Sequence, residues 1–198
     1  MQQPKFFKLL CSAVVFSTVC FTACNNSEDK TTTTHDAMSA DTSTMAVSHA
    51  IATLSGTKPD TVVTGSIQFD QDGSKVKMTL DITVLSKANQ SVAVHFHDHG
   101  DCGDMGKGAM GHWNPTGANH GKWGSASFHS GDIGNISLDA KGHGSLELET
   151  DLWSLGGDAK TNILNRSVII HSGVDDYTTQ PTGNAGQRIG CAVIKALP

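Results

Sequence analysis

From residue 48 to the C-terminus the chain holds no helical period sustained over three turns. It is written instead as short β-rich runs punctuated by turn signals. The runs fall at residues 50–54, 61–69, 75–84, 91–97, 133–138, 145–149, 167–171 and 188–195. Asp72-Gly73 separates the second from the third, and the glycine-rich stretch 139–144 separates the fifth from the sixth. Both read as hairpin connections. Eight short strands with turn-rich connections predict an all-β, antiparallel sandwich or barrel. Two regions do not fit the strand rhythm: 98–123, and 150–166 with 172–187 on either side of the seventh run. Connections that long in a compact domain are usually functional or disordered.

The fourth run continues directly into the first of these regions as VAVHFHDHGDC, residues 92–102. Side chains two apart on a strand share a face, so Val92, Val94 and Phe96 point one way while His95 and His97 point the other. Two imidazoles so placed can converge on one ion. A third, His99, lies too far along to join them. Further downstream come His112, His120, His129, Asp132 and His171. Three histidines with one carboxylate form a closed tetrahedral set for zinc, and imidazole-rich sites of planar geometry suit copper(II). Six histidines and one aspartate serve two ions if one imidazole is shared. Spacing alone supports a histidine-rich metal site with more than one ion.

At 198 residues the chain has room for one such domain and a tail. The tail reads as a leader. Lys5 and Lys8 precede an apolar run, 9–21, that is too short to span a bilayer and has the form of a secretory signal. The run ends at FTAC, which looks like a bacterial lipobox with phenylalanine where leucine is usual, so residues 1–23 are expected to be removed and Cys24 lipidated. Residues 24–47, rich in Thr, Ser and Asp, read as a disordered tether, leaving 48–198 as the folded domain. Loss of residues 1–23 removes two lysines and no acid, moving the net charge from −5 to −7. An acidic chain argues against nucleic acid as a partner. Cys11 and Cys20 leave with the signal and Cys24 takes lipid, so Cys102 and Cys191 remain as an even pair in an oxidising compartment and read as one disulfide.

The segments HFHDHGDC, GHWNPTGANHG, FHSGDIGN, VIIHSGVDD and GNAGQRIGC, in that order and spacing, resemble the copper/zinc superoxide dismutase family over residues 48–198. The resemblance implies an eight-stranded Greek-key barrel or sandwich. It implies copper held by His95, His97, His112 and His171, and zinc held by His112, His120, His129 and Asp132, with the His112 imidazolate bridging the two. It assigns Asp175 to a carboxylate that ties a copper histidine to a zinc histidine, Arg188 to the cavity arginine, and Cys102–Cys191 to the family disulfide. His49, His99 and His143 match no ligand position.

The activity so implied is disproportionation of superoxide to dioxygen and hydrogen peroxide, with His112 and Arg188 as the catalytic side chains. Superoxide is then the small-molecule partner, the protein a monomer or homodimer, and its place the bacterial envelope, touching membrane only through the N-terminal lipid. A copper-buffering or copper-delivery protein could use the same ligands, but it needs neither Arg188 nor a bridge. One stretch departs from the family: residues 177–187 carry no charge, so anion guidance is expected from Arg188 at short range, with Lys107 or Lys122 if the first long loop folds toward the channel.

Overall fold

The computed structural model describes residues 47–198. The expected signal, Cys24 and residues 24–46 of the tether lie outside the described residues.

Alternation dictates the first sheet. In β4 (Lys75–Thr83) Val76, Met78, Leu80 and Ile82 are completely buried while the residues between them are exposed or half-buried. β4 pairs antiparallel with β3 (Thr64–Asp72) on one side and β7 (His143–Thr150) on the other. β3 in turn pairs with β1 (His49–Thr53), and β1 with the short β10 (Lys195–Ala196). The second sheet runs β2 (Ser55–Gly56), β9 (Arg188–Val193), β8 (Ser167–His171), β5 (Ser91–His97), β6 (Asp132–Ser137). The two sheets sandwich one core, with Phe69 from the first set edge-on to Phe96 from the second at 5.8 Å. Each fully buried large apolar side chain contributes roughly 1.5–3 kcal/mol.

The architecture is thus the all-β Greek-key sandwich, not a closed barrel. All eight expected runs form strands, and two two-residue strands add to them. Both additions arise where a strand changes sheet. β1 gives way at Leu54, and the chain resumes as β2 in the other sheet, pairing with β9. The last run, expected to continue unbroken through 195, breaks at Ile194. There the amide donates to Arg166 O and the carbonyl accepts from Asn165 N, both at 2.9 Å, so Ile194 is still tied to the segment just before β8, and β10 then pairs with β1 in the first sheet. The second run starts later than expected, at Thr64, because Lys58–Thr61 closes a turn (Thr61 N to Lys58 O, 3.1 Å). The β3–β4 hairpin pairs Asp72 with Lys75, so its turn residues are Gly73-Ser74, and Gly73 takes the positive φ of 56° that such a turn needs.

β5 is buried on both faces, unlike β4. Val92, Val94 and Phe96 enter the core. His95 and His97, on the opposite face, lie under the long connections. Those connections are held to the sandwich by specific ties. The Trp153 indole donates to Ser130 O at 2.9 Å, the Arg166 guanidinium stands 4.4 Å over the Trp113 ring, and Cys102 is joined to Cys191 with Cα atoms 5.8 Å apart.

Candidate metal centre

Three backbone hydrogen bonds bring the dispersed histidines together. The Phe96 amide donates to Gly131 O (2.9 Å), Gly131 to Trp113 O (3.1 Å), and Trp113 to Phe96 O (2.9 Å). Each of these residues is flanked by candidate ligands: His95 and His97 around Phe96, His112 before Trp113, His129 and Asp132 around Gly131. A Cβ at Gly131 would run into the Phe96 carbonyl, so only glycine lets the third segment close the ring. His171 arrives from β8, next to β5 in the sheet, at a register shift between Ile170 and His171. Such bulges re-aim side chains. A second shift, between Val94 and His95, acts on β5 where it meets β6.

The result is two groups of converging donor atoms. His95, His97, His112 and His171 form one; His112, His120, His129 and Asp132 form the other. Within each, the donor atoms lie within 4.8 Å of one another, and every member is buried. His112 belongs to both. His49, His99 and His143 belong to neither. His49 and His143 pair with Asp70 (2.7 Å) and Asp81 (3.1 Å) at the surface, and exposed His99 lies 3.7 Å from Asp98.

The donors fit metal and little else. His95 Nδ1, His97 Nε2, His112 Nε2, His171 Nε2, His120 Nδ1 and His129 Nδ1 are buried with no hydrogen-bond partner. An unsatisfied buried polar atom costs about 1–3 kcal/mol, so six in one place demand a shared partner. In the second group three Nδ1 atoms crowd one carboxylate: His112 and His129 lie 2.8 and 3.2 Å from Asp132 Oδ1, and His120 lies 3.0 Å from Oδ2. A cation at their centre reconciles the three rings with one acceptor. Closed N/O sets of this composition suit zinc, and an all-imidazole set suits copper.

The opposite nitrogens are held in place, as ligating imidazoles require. His97 Nδ1 is 2.9 Å from Met110 O, and His171 Nδ1 is 3.3 Å from Gly186 O. Asp175 spans both groups, with Oδ2 2.8 Å from His95 Nε2 and Oδ1 2.8 Å from His120 Nε2. The carboxylate is itself held, because the Asn135 side-chain amide pairs with its backbone in both directions, at 2.8 and 2.9 Å. Gly183 lies flat against this junction; a Cβ there would fall on Asp175 Oδ1 and His120 Nε2.

Burial sets the protonation states. It lowers His112 to about 4 and His171 to about 3, and it puts His97 well below the ordinary range; each then presents a neutral ring at neutral pH. For Asp132, burial pushes the other way, but the hydrogen bond with His112 and those from the His129 and Gly121 backbone amides outweigh it and hold the carboxyl below its usual range. Asp175 behaves likewise: burial raises it, and the hydrogen bonds from His95 and His120 bring it lower.

Beside the first group a cleft of about 400 Å³ is lined by Lys58, Met105, Lys107, Gly186, Gln187 and Arg188. The Arg188 guanidinium donates to Gly106 O and Met110 O. Met110 O thus receives both His97 and Arg188. Of the two lysines expected to assist, Lys107 reaches this cleft, whereas Lys122 is not among its lining. Lys58, which sequence reasoning missed, lies just after β2 in a segment without motif. Asn135, Gln180 and the Met110 carbonyl were missed for a related reason: ordinary amides carry no local signal of what they will touch.

Comparison with known proteins adds independent findings. A family model described as copper/zinc superoxide dismutase matches residues 63–194. A Superoxide dismutase [Cu-Zn] of Paramecium bursaria Chlorella virus 1 is 39% identical over 151 residues, covering 73% of this chain and 76% of the relative. Superoxide dismutase [Cu-Zn] 2 of Aquifex aeolicus (strain VF5) is 35% identical over 137 residues, covering 67% and 80%. Among solved structures, that of the clock protein EA4 is similar with a TM-score of 0.66 at 34% identity, covering 77% of this chain and 96% of that one.

Proposed function

The chain belongs to the copper/zinc superoxide dismutase family, an oxidoreductase family whose metals are copper and zinc, and from that premise we propose how its residues divide the work. His95, His97, His112 and His171 hold copper; His112, His120, His129 and Asp132 hold zinc. The observation that carries this reading is that His112 is common to both donor groups, with Nε2 in the first and Nδ1 against Asp132 in the second. When bound, copper supplies a one-electron redox couple and zinc a fixed positive charge without redox chemistry.

The protein supplies the rest. His112 Nε2 would hold one proton and hand it to the reduced dioxygen species that leaves as hydrogen peroxide, the second proton coming from solvent in the cleft, while Nδ1 stays fixed on the opposite side. Asp175 keeps the His95 and His120 rings in register. Arg188, its fork braced by two carbonyls, offers a preoriented cation to superoxide entering the cleft. Burial lowers the Arg188 pKa, but a guanidinium remains charged throughout the working range. A braced arginine at the mouth of the imidazole group favours turnover over copper storage.

The chain is further proposed to be a bacterial envelope protein anchored through lipid on Cys24. The Cys102–Cys191 disulfide supports an oxidising compartment.

The test is metal content together with superoxide decay. The purified protein should carry one copper and one zinc per chain, and His112→Ala should loosen both metals and cut turnover, whereas His99→Ala should retain both. Copper loss in the His99 variant would show that the ligands are wrongly chosen.

A further inference from the structure

We propose that Gln180 is a positioning residue for the zinc half of the centre, acting through the backbone of His120. This rests on the reading of His112, His120, His129 and Asp132 as the zinc ligands. The Gln180 side-chain amide makes both hydrogen bonds that one peptide group can exchange with a neighbour: the His120 amide donates to Oε1 at 2.9 Å, and Nε2 donates to the His120 carbonyl at 2.9 Å. Residues 117–122 belong to no helix or strand, so His120 has no ladder to satisfy its backbone. Gln180, sixty positions further along, takes that place.

Position matters unusually at His120 because its ring is used at both ends. Nδ1 lies 3.0 Å from Asp132 Oδ2 and Nε2 lies 2.8 Å from Asp175 Oδ1. With two side-chain torsions and two fixed targets, the ring can meet both only from one backbone position. The loop that supplies Asp175 also supplies Gln180, and the link between them is stiff. Tyr177 N donates to Asp175 Oδ1 at 2.7 Å, Thr178 N and Thr179 N donate to Asp176 Oδ1 at 2.9 and 2.8 Å, and the Thr179 hydroxyl donates to Asp176 Oδ2 at 2.6 Å. One short segment therefore grips His120 twice, by ring through Asp175 and by backbone through Gln180. Gln180 is itself exposed, so it fills no core space; besides a longer bond from Nε2 to Thr178 O (3.4 Å), its side chain is held by the reciprocal pairing with His120.

The test uses the copper- and zinc-loaded mature protein and two substitutions, Gln180→Met, which keeps the length without the amide, and Gln180→Ala. Zinc release to the chromogenic chelator 4-(2-pyridylazo)resorcinol should be roughly 10–100-fold faster in both, the usual effect of losing an outer partner of a metal ligand. Cobalt(II) placed in the zinc site should show altered visible bands in both variants. The unfolding midpoint of the metal-free protein should change little, which separates positioning from general stability. Wild-type release rates and cobalt bands in the two variants would overturn the proposal while leaving the ligand assignment intact. Zinc retained by His129→Ala as firmly as by the wild type would overturn the assignment, and the proposal with it.

Discussion

Arg188 stands directly across the β8–β9 ladder from His171, at a register shift between Ile170 and His171. The cation proposed to meet the substrate and a proposed ligand of the reacting metal are thus neighbours on adjacent strands, seventeen positions apart in the chain. With Lys58 and Lys107 also lining the cleft, the positive charge is local, while the chain as a whole is acidic. Exposed charges are screened over about 10 Å at 0.1 M salt. The superoxide decay rate should therefore vary only shallowly with ionic strength. Arg188→Glu should lower it by about a hundredfold, the scale of losing one preoriented donor. Pulse radiolysis across a salt series checks both; a steep salt-dependent fall in the wild type that persists in the variant would place guidance elsewhere.

The disulfide braces the same arginine from both ends. Cys191 lies three residues beyond Arg188, and Cys102 opens the loop whose Gly106 and Met110 carbonyls hold the guanidinium. The bridge closes 89 residues of chain, for which loop entropy corresponds to about 4.5 kcal/mol. Cys191→Ser should lower the urea-unfolding free energy by an amount approaching that figure and slow turnover as well. Two free thiols in protein isolated from the cell envelope would contradict the role.

Acid should unfold the metal-free protein early. Burial lowers His112 and His171 in the folded state to about 4 and about 3, against an ordinary value of 6.5. A depressed histidine contributes stability that is fully present above pH 6.5 and is lost as pH falls toward the folded values, because only the unfolded chain takes up the proton in that window. Urea midpoints of the chelated protein should fall steadily between pH 6.5 and about 4. A flat profile there would show that these rings are not held neutral by the fold.

The proposed anchor makes a separate prediction. Detergent partitioning should place the native protein with the membrane fraction, and Cys24→Ala should abolish this, because multiple acyl chains on one residue give stable attachment. A native N-terminus beyond residue 24 and free of lipid would exclude it.

Strand identity was legible in the chain because it is a matter of local alternation: Val76, Met78, Leu80 and Ile82 announce a half-buried strand without reference to anything else. The seven residues singled out by their motifs, His95, His97, His112, His120, His129, Asp132 and His171, are those the fold gathers into two donor groups. Imidazoles and carboxylates declare their chemistry by type. What the sequence could not display was any contact whose partner is an ordinary backbone group far along the chain. The change of sheet at Leu54 and Ile194, the ring of hydrogen bonds among Phe96, Trp113 and Gly131, the Met110 carbonyl shared by His97 and Arg188, the arrival of Lys58 at the cleft and the grip of Gln180 on His120 were all decided by tertiary structure. The physical reason is that every peptide offers the same donor and acceptor, so which of them meet is settled by packing and not by residue type.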